Sequence, residues 1–270
     1  MILGLEYGFM RHAFAAGSSI ALLSAAVGYF VTLRRQAFAA HALSHVGFTG
    51  AAGAILLGLS PYLGLFAFTL ATGVALALAG RHLRQRDVGI GMVLMFALGL
   101  GVLFLNLYTA NAQSAMSILF GSIVGITAQQ AWLSLAVAAA GLAALAALHR
   151  PLCFASLDPE GARARGIDVR LLDVLFIALV AVTVAIAVPV IGALLIFALL
   201  VGPAAAAQAI SRSVAGGIAW AMAFGLGLTW LGLAGAYAVG YPASTWIASL
   251  SFALYLLAQG WRALRGSIRR

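Results

Sequence analysis

Residues 174–211, VLFIALVAVTVAIAVPVIGALLIFALLVGPAAAAQAIS, contain no charged side chain and are long enough for two apolar helices of about 20 residues each. A helix of that length crosses the roughly 30 Å hydrocarbon core of a bilayer. The whole chain shares this character: 64% of its 270 residues are hydrophobic, 8% are charged, and its mean hydropathy is +1.10. A soluble domain with a charged surface does not reach these values. The sequence therefore predicts an all-α, polytopic membrane bundle.

The composition also excludes several classes of function. All 15 basic residues are arginines in short clusters, so the net charge of +9 indicates membrane topology rather than nucleic-acid binding. Because the chain has no lysine, it cannot form a nucleotide-hydrolysing phosphate loop or a lysine Schiff base. The one cysteine, Cys153, can form neither an internal disulfide nor a cysteine-rich metal site. We therefore predict no catalytic site and no permanently bound cofactor.

Hydropathy and turn signals divide the chain into nine predicted spanning helices. Their approximate bounds are 10–33, 37–59, 62–80, 88–107, 127–148, 171–188, 192–211, 214–238 and 243–262. The sixth helix is short and ends at Pro189, and if it is re-entrant the number of spans falls to eight. No internal repeat or linker interrupts the sequence, which favours a single transmembrane domain over residues 1–270.

The arginines predict how the chain is oriented. Connections that contain arginine alternate strictly with connections that contain no charge at all. By the positive-inside rule, the arginine-bearing connections and the carboxyl terminus are cytoplasmic, and the amino terminus lies outside. The segment Asn111 to Gly125 is too short to cross and is expected to form a short helix at the outer surface.

The second predicted span places three polar residues one helical turn apart. His41, Ser44 and His45 occupy positions i, i+3 and i+4, which share one side of a helix. At 1.5 Å per residue from Arg35, His45 lies about 15 Å deep, where ionisable side chains usually face a cavity or a partner. Imidazoles at this spacing are plausible ligands for a first-row metal ion. The alternative is that both histidines only hydrogen-bond between helices.

The longest arginine-bearing connection contains the signature of a short capped helix. Asp158 is in an N-cap position, followed by Pro159 and Glu160 in the first turn, and Gly166 ends the pattern. The remaining charged residues of the segment are Arg163 and Arg165. This polar helix is either an inert solvated loop or a docking element for a cytoplasmic partner.

Four segments, in order along nearly the whole chain, carry a likeness to a known family. They are HALSHVGFTG (41–50), VGIGMVLMFALGLGVLFL (88–105), SILFGSIVGIT (117–127), and LDPEGARARGI (157–167) followed by VPVIGALLIFALLVGPAAAA (188–207). These segments resemble the permease subunits of bacterial ATP-binding-cassette (ABC) importers for zinc, manganese and iron. The first is similar to a metal-contacting segment of that family, and the last to its coupling helix and the helix that follows.

The resemblance implies an assembly and a location. A homodimer of this subunit would bind two copies of a separate ATPase in the bacterial inner membrane, and an extracytoplasmic binding protein would deliver the metal ion. His41 and His45 would contact the ion, with Ser44 beside them. Residues 158–166 would enter a groove of the ATPase through Asp158, Glu160, Arg163, Arg165 and Gly166.

The sequence departs from the family pattern in ways that affect the transported ion. Many members have aspartate at the position of His41, and a frequent Pro-Gly pair is replaced here by Thr49-Gly50. Two histidines from each of two protomers would offer four nitrogens, a set better suited to zinc than to manganese. Manganese, iron or a metal chelate are the alternative cargoes. A secondary carrier or channel without an ATPase, or a purely structural membrane subunit, are the alternatives outside this class.

Overall fold

A computed structural model describes residues 6–79, 86–107, 121, 125–240 and 242–267 of the chain. Every regular element in these residues is a helix: nine helices have 18 to 30 residues, and one has six. The bounds are α1 Gly8–Leu33, α2 Ala37–Leu56, α3 Pro61–Ala79, α4 Arg86–Leu107, α5 Ala128–Leu157, α6 Pro159–Ala164, α7 Val169–Ile191, α8 Ala193–Ile210, α9 Val214–Val239 and α10 Ala243–Ser267. The predicted fold class is confirmed. The predicted outer helix at 111–125 lies almost entirely outside the described residues.

Six of these helices, α1, α3, α4, α5, α7 and α9, are long and apolar enough to cross a membrane by length and composition. Helix α7, which corresponds to the sixth predicted span, belongs to this set, with 23 residues and the highest mean hydropathy of the six, 3.0. It meets the length and hydropathy that a spanning helix requires. Helix α2 has 20 residues but is not among the six.

Burial separates central helices from peripheral ones. In the most apolar windows of α1 and α7, 78% and 72% of the residues are buried, whereas the corresponding values for α3, α4, α5 and α9 lie between 17% and 28%. An apolar helix that exposes most of its surface is suited to contact with lipid. The bundle is therefore built around α1 and α7, and the other four helices face outward.

Small residues allow neighbouring helices to approach closely. A Cβ atom added to Gly50 of α2 would lie 2.3 Å from the carbonyl oxygen of Gly64 on α3, and one added to Gly64 would lie 2.2 Å from that of Gly50. Neither position has room for a side chain. In a membrane, where lipid is as apolar as the helices, such backbone contact is a main source of helix association.

Two helices continue through a proline that lies just beyond their sequence-based ends. Helix α5 continues through Pro151 to Leu157, nine residues beyond its predicted end, and Leu152 and Ala155 in this extension are buried. Helix α7 passes Pro189 and ends at Ile191. Packing against neighbouring helices thus outweighs the local preference of proline to end a helix.

A single residue, Gly192, separates α7 from α8, and its φ of 92° is in the region that favours glycine. Gly121, from the segment that precedes α5, packs directly on this junction. A Cβ atom added to Gly121 would lie 2.3 Å from the backbone nitrogen of Gly192. The two glycines therefore fix the contact between that segment and the end of α7.

Candidate functional site

Helix α2 brings its two histidines together, as their spacing predicts. The ring centroids of His41 and His45 are 4.8 Å apart and the rings are nearly perpendicular, with an interplanar angle of 82°. Both side chains are half-buried. One helical turn thus presents two imidazoles side by side on a partly accessible surface.

The surroundings of His41 place it against a neighbouring helix. The ring of Phe197 on α8 packs at 4.8 Å from the His41 ring, at an angle of 66°. The Nδ1 atom of His41 is buried, and among the described residues it has no hydrogen-bond partner. A buried polar atom without a partner is costly, and a bound water or ion is one explanation for it.

Ser44 takes a different environment from the two histidines. Its side chain is fully buried, and its hydroxyl donates a hydrogen bond of 2.7 Å to the carbonyl oxygen of His41. At 100° per residue, Ser44 is displaced from His45 by more than a quarter turn, which directs it into the bundle. In this conformation the hydroxyl therefore hydrogen-bonds to the backbone of α2 between the two imidazoles.

The remaining residues of the motif hold α2 in place. Thr49 is fully buried and its hydroxyl donates a 2.6 Å hydrogen bond to the carbonyl oxygen of Ala97 on α4. Gly50 makes the close contact with Gly64 on α3. The Thr49-Gly50 pair that departs from the family pattern thus fixes α2 between α3 and α4, directly beyond the histidines.

Within the described part of the chain, no group of three or more His, Cys, Asp and Glu residues could hold a metal ion. The His41–His45 pair therefore has no third side chain of these types beside it among the described residues. The His149 ring centroid lies 5.9 Å from that of Phe30, and its Nε2 atom lies 3.7 Å from the sulfur of Cys153. His82 lies outside the described residues.

The predicted capped helix is present as α6. The Asp158 side chain accepts a 2.9 Å hydrogen bond from the backbone N–H of Gly161, and Pro159 is in the first turn. Gly166 has a φ of 80° and follows the C-terminal end of the helix. The N-cap and the stop signal were both correctly predicted from the sequence.

Side chains of this segment divide into anchors and exposed groups. Ala162 is fully buried in the main core, and the Arg165 guanidinium lies 4.9 Å from the centroid of the Phe154 ring on α5. Glu160 and Arg163 are exposed. Leu157, immediately before the cap, is 69% exposed. The segment is thus attached to the bundle on one side and presents charged and apolar groups on the other.

An ion pair between Arg34 and Asp173 lies near this segment, and no feature of the sequence around either residue predicts it. Arg34, at the C-terminal end of α1, contacts the carboxylate of Asp173 in α7, and its guanidinium lies 5.2 Å from the centroid of the Phe176 ring. The side chains are 9% and 28% exposed. The pair joins the start of α7, which follows α6, to the C-terminal end of α1, three residues before the start of α2.

Arg34→Ala is expected to lower the free energy of unfolding by about 2–3 kcal/mol, because it leaves the carboxylate of Asp173 partly buried without a counter-charge. Thermal unfolding of the purified protein in detergent measures the change. The matched control is Arg35→Gln, since Arg35 is exposed. Equal losses of stability in the two variants would contradict the role of the pair, and partial recovery in Arg34→Asp/Asp173→Arg would support it.

A polytopic helical bundle with ionisable side chains on an embedded helix has the features of a membrane transport protein, because such residues mark ion or substrate pathways. A family model described as the ABC 3 transport family matches residues 6–261, and the chain belongs to this family. The resemblance predicted from four sequence segments is thereby confirmed.

Individual relatives agree with this assignment. The chain is 25% identical over 222 residues to the manganese transport system membrane protein MntC of Listeria innocua, covering 82% of this chain and 79% of that one. It is 28% identical over 210 residues to the manganese import system permease protein ScaB of Streptococcus parasanguinis, covering 77% and 75%. The solved structure of PsaBC from Streptococcus pneumoniae in complex with Fab is similar with a TM-score of 0.84 and 25% identity, covering 94% and 92%.

Proposed function

We propose that this chain is the membrane-spanning permease subunit of an ATP-driven importer for a divalent metal ion. The observation that carries the proposal is the His41–His45 pair on a helix inside the bundle, with a buried Nδ1 atom that lacks a partner. The relatives named as manganese transport or import proteins support a metal ion as cargo. The ion is the transported substrate and not a resident cofactor.

The His41–His45 pair supports an assembly of two copies. A first-row metal ion usually takes four or more ligands, and in the described part of one chain the His41–His45 pair has no third His, Cys, Asp or Glu beside it. A homodimer with α2 near its axis supplies four nitrogens. Release of cargo then requires only a small separation of the two pairs, because neither pair alone holds the ion firmly.

ATP hydrolysis is proposed to come from a separate subunit, present in two copies, that binds α6. The exposed Glu160 and Arg163 would contact its groove, while Asp158, Arg165 and Gly166 maintain the helix. The arginine-bearing connections favour a cytoplasmic position for α6 and the carboxyl terminus. The membrane proposed for the protein is the bacterial inner membrane. An extracytoplasmic binding protein would deliver the ion to the other side.

Two ions are candidates for the cargo, on different grounds. Four imidazole nitrogens suit zinc better than the harder manganese, whereas the names of the relatives favour manganese. Binding strength alone does not separate them, because nitrogen sites bind zinc more tightly than manganese whatever their function. A test must therefore measure transport.

We expect the reconstituted permease–ATPase complex to hydrolyse ATP faster when zinc is supplied with the binding protein, and to move zinc into proteoliposomes. Manganese and iron, assayed in parallel, are expected to give roughly tenfold lower uptake at equal concentration. A reversed order would make manganese the cargo. Uptake of no divalent ion, or uptake by the permease without the ATPase, would refute the proposed function.

A further inference from the structure

An open apolar groove of about 440 Å³ lies on the outside of the bundle, where the end of α8 meets α9 and α10. Its size is within the range of ligand pockets, roughly 300–1,000 Å³. The residues that line it are Ile210, Trp220, Phe224, Leu254, Leu257, Ala258 and Trp261. The groove is separate from the histidine pair and from α6, and the proposed transport cycle does not use it.

Two arginines follow residues that line this groove within two positions of the sequence. Arg262 directly follows Trp261 on α10, and Arg212 lies two residues beyond Ile210 in the connection from α8 to α9. Both side chains are exposed, and neither forms an ion pair with any residue that the structure describes. The sequence continues after α10 with arginines as well, at positions 269 and 270. Guanidinium groups beside tryptophans at helix ends are typical of a membrane–water boundary.

We propose that the groove binds one anionic phospholipid, with an acyl chain against Trp220 and Leu257 and the phosphate between Arg212 and Arg262. A lipid is favoured over a protein helix because large side chains line most of the groove, whereas helices that pack closely in a membrane use small residues and polar contacts. An anionic lipid is favoured because Arg212 and Arg262 follow the groove-lining ends of α8 and α10 within two residues. The site requires only that the chain is a membrane protein, and it stands if the proposed cargo is wrong.

Tryptophan fluorescence provides a direct test. Bromine atoms on an acyl chain quench a tryptophan that they touch, so brominated phosphatidylglycerol and brominated phosphatidylcholine can be compared in vesicles. A variant that keeps only Trp220 reports on the groove. A variant that keeps only Trp132 is the control, since Trp132 is 71% exposed at the start of α5, where the sequence has no charge.

We expect Trp220 to be quenched at a roughly fivefold lower fraction of phosphatidylglycerol than of phosphatidylcholine, and Trp132 to be quenched equally by both. Arg212→Gln combined with Arg262→Gln should abolish this preference, so that the two lipids quench Trp220 at about equal fractions. Arg170→Gln, which removes an exposed arginine elsewhere, should leave it unchanged.

Native mass spectrometry of the full chain with its tryptophans intact gives a second measurement that does not depend on the single-tryptophan variants. We expect one retained phosphatidylglycerol per chain, lost in the Arg212→Gln/Arg262→Gln variant. Equal quenching of Trp220 by both lipids would overturn the proposal. So would quenching of Trp132 with none of Trp220, because a protein surface would then cover the groove.

Discussion

His45→Ala is expected to reduce metal uptake by roughly 100-fold or more at limiting metal concentration, with the protein still folded and assembled. Loss of a group that only supports a metal ligand already costs about 10- to 100-fold. Removal of one imidazole from each proposed pair takes away half of the ligands in a homodimer. Uptake of radioactive zinc and manganese by proteoliposomes containing the complex measures the effect.

The control for this experiment is His12→Ala. His12 is also half-buried, but it lies in the first turns of α1, at an end of the bundle. Uptake by this variant should be close to that of the unmodified protein. If His45→Ala, isolated with its ATPase bound, transports metal at the normal rate, the histidine pair is not the site.

Glu160→Ala combined with Arg163→Ala is expected to weaken binding of the ATPase by about 3 kcal/mol, or roughly 100-fold, because truncation of a central interface residue costs about 1–2 kcal/mol. The variant keeps the Asp158 cap and the Gly166 stop, so α6 itself should persist. Co-purification of the ATPase with the tagged permease, followed by a titration of the two proteins, measures the loss.

Arg150→Ala provides the matched control, because it removes an exposed arginine from the body of α5, outside α6. Its ATPase affinity should be unchanged. Full co-purification by the Glu160→Ala/Arg163→Ala variant would show that α6 is a solvated loop without a docking role.

Hydropathy was sufficient to predict most of this fold. Residues 174–211 have to form helices in lipid, because no other structure satisfies the backbone groups of a lone apolar segment. Their single break, at Gly192, coincides with the predicted turn. The short helix α6 was predictable for a different reason, since Asp158, Pro159 and Gly166 act through local hydrogen bonds and backbone preferences.

Features that depend on distant partners were not predictable. Arg34 and Asp173 are 139 positions apart, and nothing near either residue indicates the other. The extension of α5 to Leu157 depends on the burial of Leu152 and Ala155 against other helices. In each case the decisive contacts form only after the helices pack.

Within one turn of helix, the candidate site also combines a feature that the sequence predicts with features that depend on packing. The spacing of His41 and His45 was enough to predict that their rings meet. It did not predict that Ser44 would be fully buried and bonded to the backbone, nor that Phe197 would pack on His41. Those outcomes depend on which side of α2 faces α8, and the sequence of α2 alone does not determine this.

Helix α7 contacts two distant parts of the molecule. It is about 34 Å long at 1.5 Å per residue, and Pro189, its one proline, lies in the last turn. Asp173 near its beginning is joined to Arg34, and its far end at Gly192 is in backbone contact with Gly121. Because both ends of α7 are anchored, a displacement at the Arg34–Asp173 pair would be carried along the helix to the Gly121–Gly192 contact about 34 Å away.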